Sequence, residues 1–394
     1  MISLSLPLME LSGDLLSSLT ILRREIHQNP ELAGKEISTA QKIKNFVSLH
    51  NPNEIITDIG KTGLAAIYTG AKPGPTIVIR GDMDAVPIEE INTFSHRSKC
   101  QGISHMCGHD GHVTIVSGLA PLLNQNPIKS GRVILLFQPA EETGEGADWI
   151  VNSEKFKKLA PDYIFGLHNL PQYPFGSVLI KSGTFAAASK GMIVKLKGAT
   201  SHAAHPEDGN SPALAVAEII TELTKLPSRQ EFFQDFVLLT VIHSRLGEVA
   251  FGTTPGEAEV MATLRSYQDA DMAVLTQKAI DLVETAAKNY NLDVEISWTE
   301  EFPATVNHQE AVKIVHQAVA DCNYHCIEVE KPFRWSEDFG HYTRHYKGAY
   351  FGLGAGEKYP QLHNCDYDFP DELIKHGVKI FSKVIYNLLG ASYT

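Results

Sequence analysis

The chain has 394 residues, room for about two domains at roughly 100–200 residues apiece. Its 43% apolar and 20% charged residues make an ordinary globular balance and exclude long disorder. With 34 basic against 46 acidic residues the net charge is −12, which disfavours nucleic acid, because phosphate binding needs a basic surface.

Residues 1–30 begin Leu-rich, yet Glu10 and Asp14 are present and no basic residue precedes Arg23, so the segment reads poorly as a secretory signal. Apolar spacing predicts a helix over 12–29. Three continuous apolar runs follow, at 76–80, 132–138 and 163–167, each ending in polar or turn-like residues. Runs without alternation suit strands buried on both faces. A helical stretch, 111–123, lies between the first two. Strand–helix alternation predicts an α/β domain with a mostly parallel sheet.

At 181–189 small residues mark a hinge or linker. Beyond it strands are predicted at 192–196, 236–242, 257–267 and 293–298, with helices at 212–226 and 271–289. This is a self-contained α+β unit. The α/β texture then returns, with a helix at 309–321, a strand at 349–353 and a last helix at 370–389. The expected organisation is a discontinuous main domain, 1–182 and 301–394, interrupted by an inserted smaller one, 183–300. No apolar stretch approaches the roughly 20 residues of a membrane span. Five cysteines (Cys100, Cys107, Cys322, Cys326 and Cys365) are too few for a disulfide framework in a chain this long, so a reducing cytoplasm is expected. The 17 histidines are the compositional hint of metal chemistry.

The densest cluster runs from Ser104 to His112 and holds His105, Cys107, His109, Asp110 and His112. Thiolate and imidazole are ligands for zinc-like metals, and Cys107 and His109 flank Gly108 on one tight loop. Glu141 and Glu142 follow the strand at 132–138. One carboxylate could bind metal while its neighbour acts as general base; the plainer reading is a solvated helix start. His168 follows the strand at 163–167. Asp82 and Asp84 follow the strand at 76–80, and alternation sets them on one side. His363 lies in an Asp-rich segment before the last helix. Besides the 104–112 cluster, four strand ends or loops thus supply ligand-type residues, where α/β sheets place their sites. The ligand number exceeds one tetrahedral structural zinc and suggests two ions sharing a ligand.

These stretches, in this order, resemble the aminoacylase/carboxypeptidase-type di-metal amidohydrolases. Their branch is that of hippurate hydrolases, N-acetyl-diaminopimelate deacetylases and auxin-conjugate hydrolases. The matching segments are Arg80 to Pro87, Met106 to His112, Gln138 to Glu142, Leu167-His168, Ser201-His202, Ser336 to Phe339 and Leu362 to Phe369. The resemblance implies that Cys107 is shared by two divalent ions and that His109, Glu142, His168 and His363 complete the coordination. It implies that Glu141 is the general base on metal-activated water and that Asp84 orients a ligand. It implies that His202, on an inserted lid and dimerisation domain, steadies the oxyanion in a partner subunit's site, which makes the protein a homodimer. The implied reaction is cleavage of an N-acyl amino acid to an acid and an amino acid, without nucleic acid or membrane.

Mixed thiolate, imidazole and carboxylate donors allow zinc, manganese, cobalt or nickel. Arg265, ending the strand from Glu257, is a candidate for the substrate carboxylate; a surface arginine is the other reading. Ser201 before His202, His205 after it, and Gly252 in place of an Asn common in relatives depart from the family pattern, so substrate identity does not transfer. His105 and His112 stay unassigned. A metallo-exopeptidase of the same fold is the alternative enzyme; a ligand-binding protein and a purely structural metal are the readings outside enzymology.

Overall fold

The structure, a computed structural model, describes residues 11–391. Along the chain come α1 (Gly13–His27), α2 (Ile37–Ser48), β1 (Glu54–Ile59), β2 (Gly63–Thr69), β3 (Lys72–Asp82), α3 (His109–Ser117), α4 (Leu119–Gln125) and β4 (Ser130–Gln138). Next are α5 (Gly146–Asn152), α6 (Glu154–Lys157), β5 (Tyr163–Pro171), β6 (Val178–Ile180), β7 (Gly183–Ala186) and β8 (Ala188–Lys197). Then follow α7 (Ala213–Lys225), β9 (Val237–Leu246), β10 (Glu257–Ser266), α8 (Asp269–Asn289) and β11 (Asp293–Phe302). The chain closes with β12 (Thr305–Asn307), α9 (Gln309–Asp321), β13 (Cys326–Glu328), α10 (Gly340–Thr343), β14 (Lys347–Gly356) and α11 (Leu373–Leu389).

Two compact units result. The first comprises Met1–Phe185, Thr305–Lys331 and Asp338–Thr394; the second comprises Ala186–Ala304 and Pro332–Glu337. Sequence patterning does not anticipate the short return of 332–337. Its physical reason is hydrogen bonding: the Ala187 amide donates to the carbonyls of Phe333 (3.0 Å) and Trp335 (3.1 Å).

The first unit is built on an eight-stranded sheet of order β1-β2-β4-β3-β5-β14-β6-β13. Its centre, β4, β3, β5 and β14, is parallel, as strand–helix alternation predicts. The β1–β2 hairpin joins antiparallel at one edge, and β6 lies antiparallel to β14. Central strands bury both faces: Val133 through Phe137 of β4 are all solvent-free. The second unit is a four-stranded antiparallel sheet, β11-β8-β10-β9. Here one face is covered and burial alternates; Ala258, Val260, Ala262 and Leu264 of β10 turn inward onto Ile219, Leu223 and Leu275 of α7 and α8.

Most expected elements exist, with shifted ends. The helix expected at 111–123 starts earlier, at His109, and divides at Gly118. Pro121 has no N–H for the Ser117 carbonyl, so the hydrogen-bond ladder breaks there. Strand β5 runs on to Pro171, so His168 lies within the strand rather than after it. The last helix begins at Leu373, because Pro370 to Glu372 form a turn. Helix α2 and the hairpin β1–β2 have no counterpart among the elements expected from sequence. Residues 1–10 of the segment that reads as a poor signal lie outside the described residues. No helix among the described residues is long and apolar enough to cross a membrane.

Candidate active site

The carboxyl ends of β4 and β5, the loop after β14, and α3 with the loop leading into it bring five expected ligands together, all in the first unit. Cys107, His109 and His168 offer ligand atoms within 4.8 Å of one another, and so do Cys107, Glu142 and His363. Cys107 belongs to both groups. Its loop is possible because Gly108 takes φ +91° and lies so close to Asn169 that a Cβ would meet that side chain at 2.7 Å. Gly111 is helical and makes room for the Phe369 ring, 2.2 Å from where a Cβ would stand. The His363 amide donates to the Met106 carbonyl at 2.8 Å, pinning that loop beside Cys107.

Hydrogen bonds set the ligand tautomers. His109 Nδ1 donates to the Asp84 carbonyl at 2.9 Å, and His168 Nδ1 donates to the Asn169 carbonyl at 2.8 Å. Each leaves Nε2 with a lone pair for a cation, and His168 Nε2 stands 3.5 Å from Cys107 Sγ. His109 Nε2 and Glu142 Oε1 are buried without a hydrogen-bond partner. Buried polar atoms are normally satisfied, so such orphans at the focus of a ligand cluster fit a metal.

Electrostatics point the same way. Burial lowers the His109 pKa, but Asp82, Asp84 and Glu142 outweigh it and raise it to about 10. Burial and the neighbouring carboxylates push the Cys107 thiol up. Burial, helped by His112 and His109, pushes His168 down to about 3, so that ring is neutral. The pocket is short of positive charge, and a divalent cation would convert Cys107 to the thiolate it needs as a ligand.

Glu141 is 5% exposed, and its Oε1 accepts the Asp338 amide at 3.3 Å. Its Oε2 lies 3.8 Å from His109 Nε2. Asp84 accepts the amides of Glu141 (3.0 Å) and Glu142 (2.9 Å), one on each carboxylate oxygen. It therefore positions the glutamate pair as well as His109. Asp338 is itself buried; it binds Arg80 at 2.7 Å, the Gln138 amide at 2.7 Å and 2.9 Å, and the Ala147 N–H at 2.8 Å. Sequence patterning gives no role to Arg80, Gln138 or Asn169. An arginine ending an apolar run, as Arg80 does, is the available signal.

His112, left unassigned by sequence, has both ring nitrogens engaged, with the Asp82 carboxylate at 2.6 Å and with the Asn169 side chain. His105 is buried with neither nitrogen partnered. Behind α3, the buried Arg23 guanidinium binds Asp110 (3.0 Å), Asp368 (2.7 Å) and Asp371. It thereby ties the first turn of the His109 helix to the segment after His363. Burial lowers the pKa of His27 in this cluster, but hydrogen bonds to Asp110 and Glu90 raise it to about 9. Its stabilisation is complete below the unfolded value near 6.5 and drains as pH rises through about 9. His27→Gln should therefore show its largest loss of melting temperature at about pH 6 and a smaller one above about pH 9, by scanning calorimetry.

His202 and Arg265 belong to the second unit and are each described there. His202 is exposed, and its Nδ1 accepts the Ala204 amide at 3.0 Å. Arg265 is half-buried, and its Nη1 donates to the Arg334 carbonyl (3.0 Å) and Ser336 Oγ (2.9 Å). Gly252 and His205 are exposed in the same unit.

Comparison with known proteins defines the class, an amidohydrolase. The model of peptidase family M20/M25/M40 matches residues 78–387, and the chain belongs to that family. It is 30% identical to a hippurate hydrolase of Campylobacter jejuni, over 95% of this chain and 98% of that protein. It is 29% identical to an N-acetyldiaminopimelate deacetylase of Priestia megaterium, over 92% of this chain and 96% of the other. A solved dinuclear metal binding peptidase of the M20 family from Bacillus subtilis superposes with a TM-score of 0.80 at 26% identity, covering 97% of this chain and all of that one.

Proposed function

We propose that the chain hydrolyses the amide bond of small N-acyl amino acids, releasing a carboxylic acid and a free amino acid. The observation that carries this reading is the pair of ligand groups sharing Cys107, with the buried Glu141 carboxylate beside them. Names of relatives such as hippurate hydrolase and N-acetyldiaminopimelate deacetylase support the substrate class.

Two divalent ions (zinc, manganese, cobalt or nickel) are proposed, one held by Cys107, His109 and His168, the other by Cys107, Glu142 and His363. When bound they acidify water and draw charge from the acyl carbonyl. Glu141 takes a proton from the attacking water and delivers it to the leaving nitrogen, so the acid and the amine emerge in balance. Asp84 keeps the glutamate pair in place through its two amide bonds. A homodimer is proposed in which His202 stabilises the oxyanion in the partner subunit's site. With Nδ1 accepting the Ala204 amide, the neutral ring carries its proton on Nε2, the donor that this role needs. Arg265 is proposed for the substrate carboxylate; its bonds to Arg334 and Ser336 occupy Nη1 and leave the Nε–Nη2 edge for bidentate pairing. A cytoplasmic location is proposed on the five free thiols.

The test is a panel of N-acetyl, N-benzoyl and longer-chain acyl amino acids set against dipeptides, with protein reconstituted with each metal. Release of free amino acid from the acylated set should exceed dipeptide cleavage by at least about tenfold in kcat/KM. A preference for dipeptides would replace this reading with an exopeptidase.

A further inference from the structure

Glu36 lies just ahead of α2, fully buried, and sequence patterning gives it no role. Its Oε1 accepts the amides of Gly34 (2.8 Å) and Ala140 (2.9 Å), and its Oε2 accepts the Thr62 hydroxyl (2.6 Å). Ala140 is the residue before Glu141, and its φ is +53°. Alanine has no side chain that favours this left-handed region, which non-glycine residues occupy in only a few per cent of cases. The next two amides, those of Glu141 and Glu142, are taken by Asp84. Three successive N–H groups are thus held by two buried carboxylates. Asp84 grips the glutamates themselves, and Glu36 grips the one residue whose backbone is strained.

We propose that Glu36 is a positioning residue for Glu141. By capturing the Ala140 amide it keeps that residue left-handed, and the φ of Ala140 sets the direction in which the chain presents the Glu141 carboxylate. The hydrogen-bond partners of the Glu36 side chain are Gly34, Thr62 and Ala140, none of them a proposed metal ligand. The inference rests on the reading of Glu141 as general base.

Three replacements of Glu36 and one second-site change test it, with kcat, KM and bound metal measured per mole of folded protein. Glu36→Ala releases Ala140 to ordinary negative φ. Its kcat should fall roughly 20–50-fold, following the scarcity of left-handed alanine, with KM within about twofold and metal content unchanged. Glu36→Gln keeps the oxygen that accepts from Gly34 and Ala140, and Thr62 can turn to accept from the new amide; it should stay within about fivefold of the parent. Glu36→Asp keeps the charge but withdraws it by one methylene, beyond reach of Ala140, and should be less active than Glu36→Gln. This pair keeps the idea refutable if the Ala variant fails to fold. Adding Ala140→Gly to Glu36→Ala should raise kcat about tenfold, because glycine enters the left-handed region as readily as the right-handed one. A residue that merely stabilised the fold would lower the melting temperature, and Ala140→Gly would not restore turnover. The proposal is overturned if Glu36→Asp matches or exceeds Glu36→Gln, or if Ala140→Gly brings no recovery. Retained turnover in Glu141→Gln would overturn the general-base reading instead, so the two failures are distinct.

Discussion

Glu141→Gln should lose between about two and four orders of magnitude in kcat while KM stays within a few-fold. Glutamine has the size and shape of the residue it replaces. Its amide oxygen can still accept the Asp338 N–H that Glu141 Oε1 accepts at 3.3 Å, and the surrounding burial is unchanged. What it lacks is an oxygen able to take a proton from water and return it to the leaving nitrogen. The loss therefore belongs to the chemical step rather than to substrate binding. The proposed metal ligands are untouched, so bound metal and melting temperature should match the parent. Steady-state kinetics with metal analysis on one preparation decides it. Turnover within tenfold of the parent would remove Glu141 from the mechanism.

Chelation should reduce hydrolysis to below about 1% of the starting rate and leave the fold in place, with activity restored by adding metal back. Each unit has its own apolar cluster: Leu135, Phe137, Phe165 and Phe351 are among those of the first, and Val194, Leu196, Leu264 and Leu275 among those of the second. Such cores hold without an ion, unlike small domains that unfold when metal leaves. The melting temperature should still drop, because binding at about a thousand times Kd contributes roughly 4 kcal/mol to the folded state. The local reason is charge. His109, with its pKa raised to about 10 by the carboxylates around it, takes up a proton in place of the cation. Circular dichroism and activity followed together check the result; loss of helix signal along with activity would assign the metal a structural role.

The parts of the site that are legible in the amino-acid sequence are those whose chemistry is carried by residue type over a short span. Cys107 and His109 stand two apart across a glycine, Glu141 and Glu142 end a run of apolar residues, and Asp82 and Asp84 end another. A buried strand is visible as a continuous apolar run, and its carboxyl end is where α/β sheets carry ligands. His168 is legible as a residue but misplaced by its pattern, because β5 continues through polar Asn169 to Pro171. Helix α2 and the β1–β2 hairpin have no expected counterpart, although α2 runs 12 residues and β2 is a buried apolar run flanked by β1 and β4.

The supporting residues are not legible in the same way, and the cause is distance along the chain. Gln138 reaches Asp338 across 200 positions, Arg80 reaches it across 258, and Glu36 reaches Ala140 across 104. No local period or turn signal encodes such a pairing. The amino-acid sequence by itself determined which side chains have ligand-type chemistry and which strand ends or loops carry most of them, because thiol, imidazole and carboxylate chemistry belongs to the residue. Tertiary structure alone decided that His112 is engaged while His109 Nε2 is left open, and that Glu36 holds the turn before Glu141. Those outcomes depend on strand order, with β3 seated between β4 and β5, and on buried polar atoms finding partners or going without.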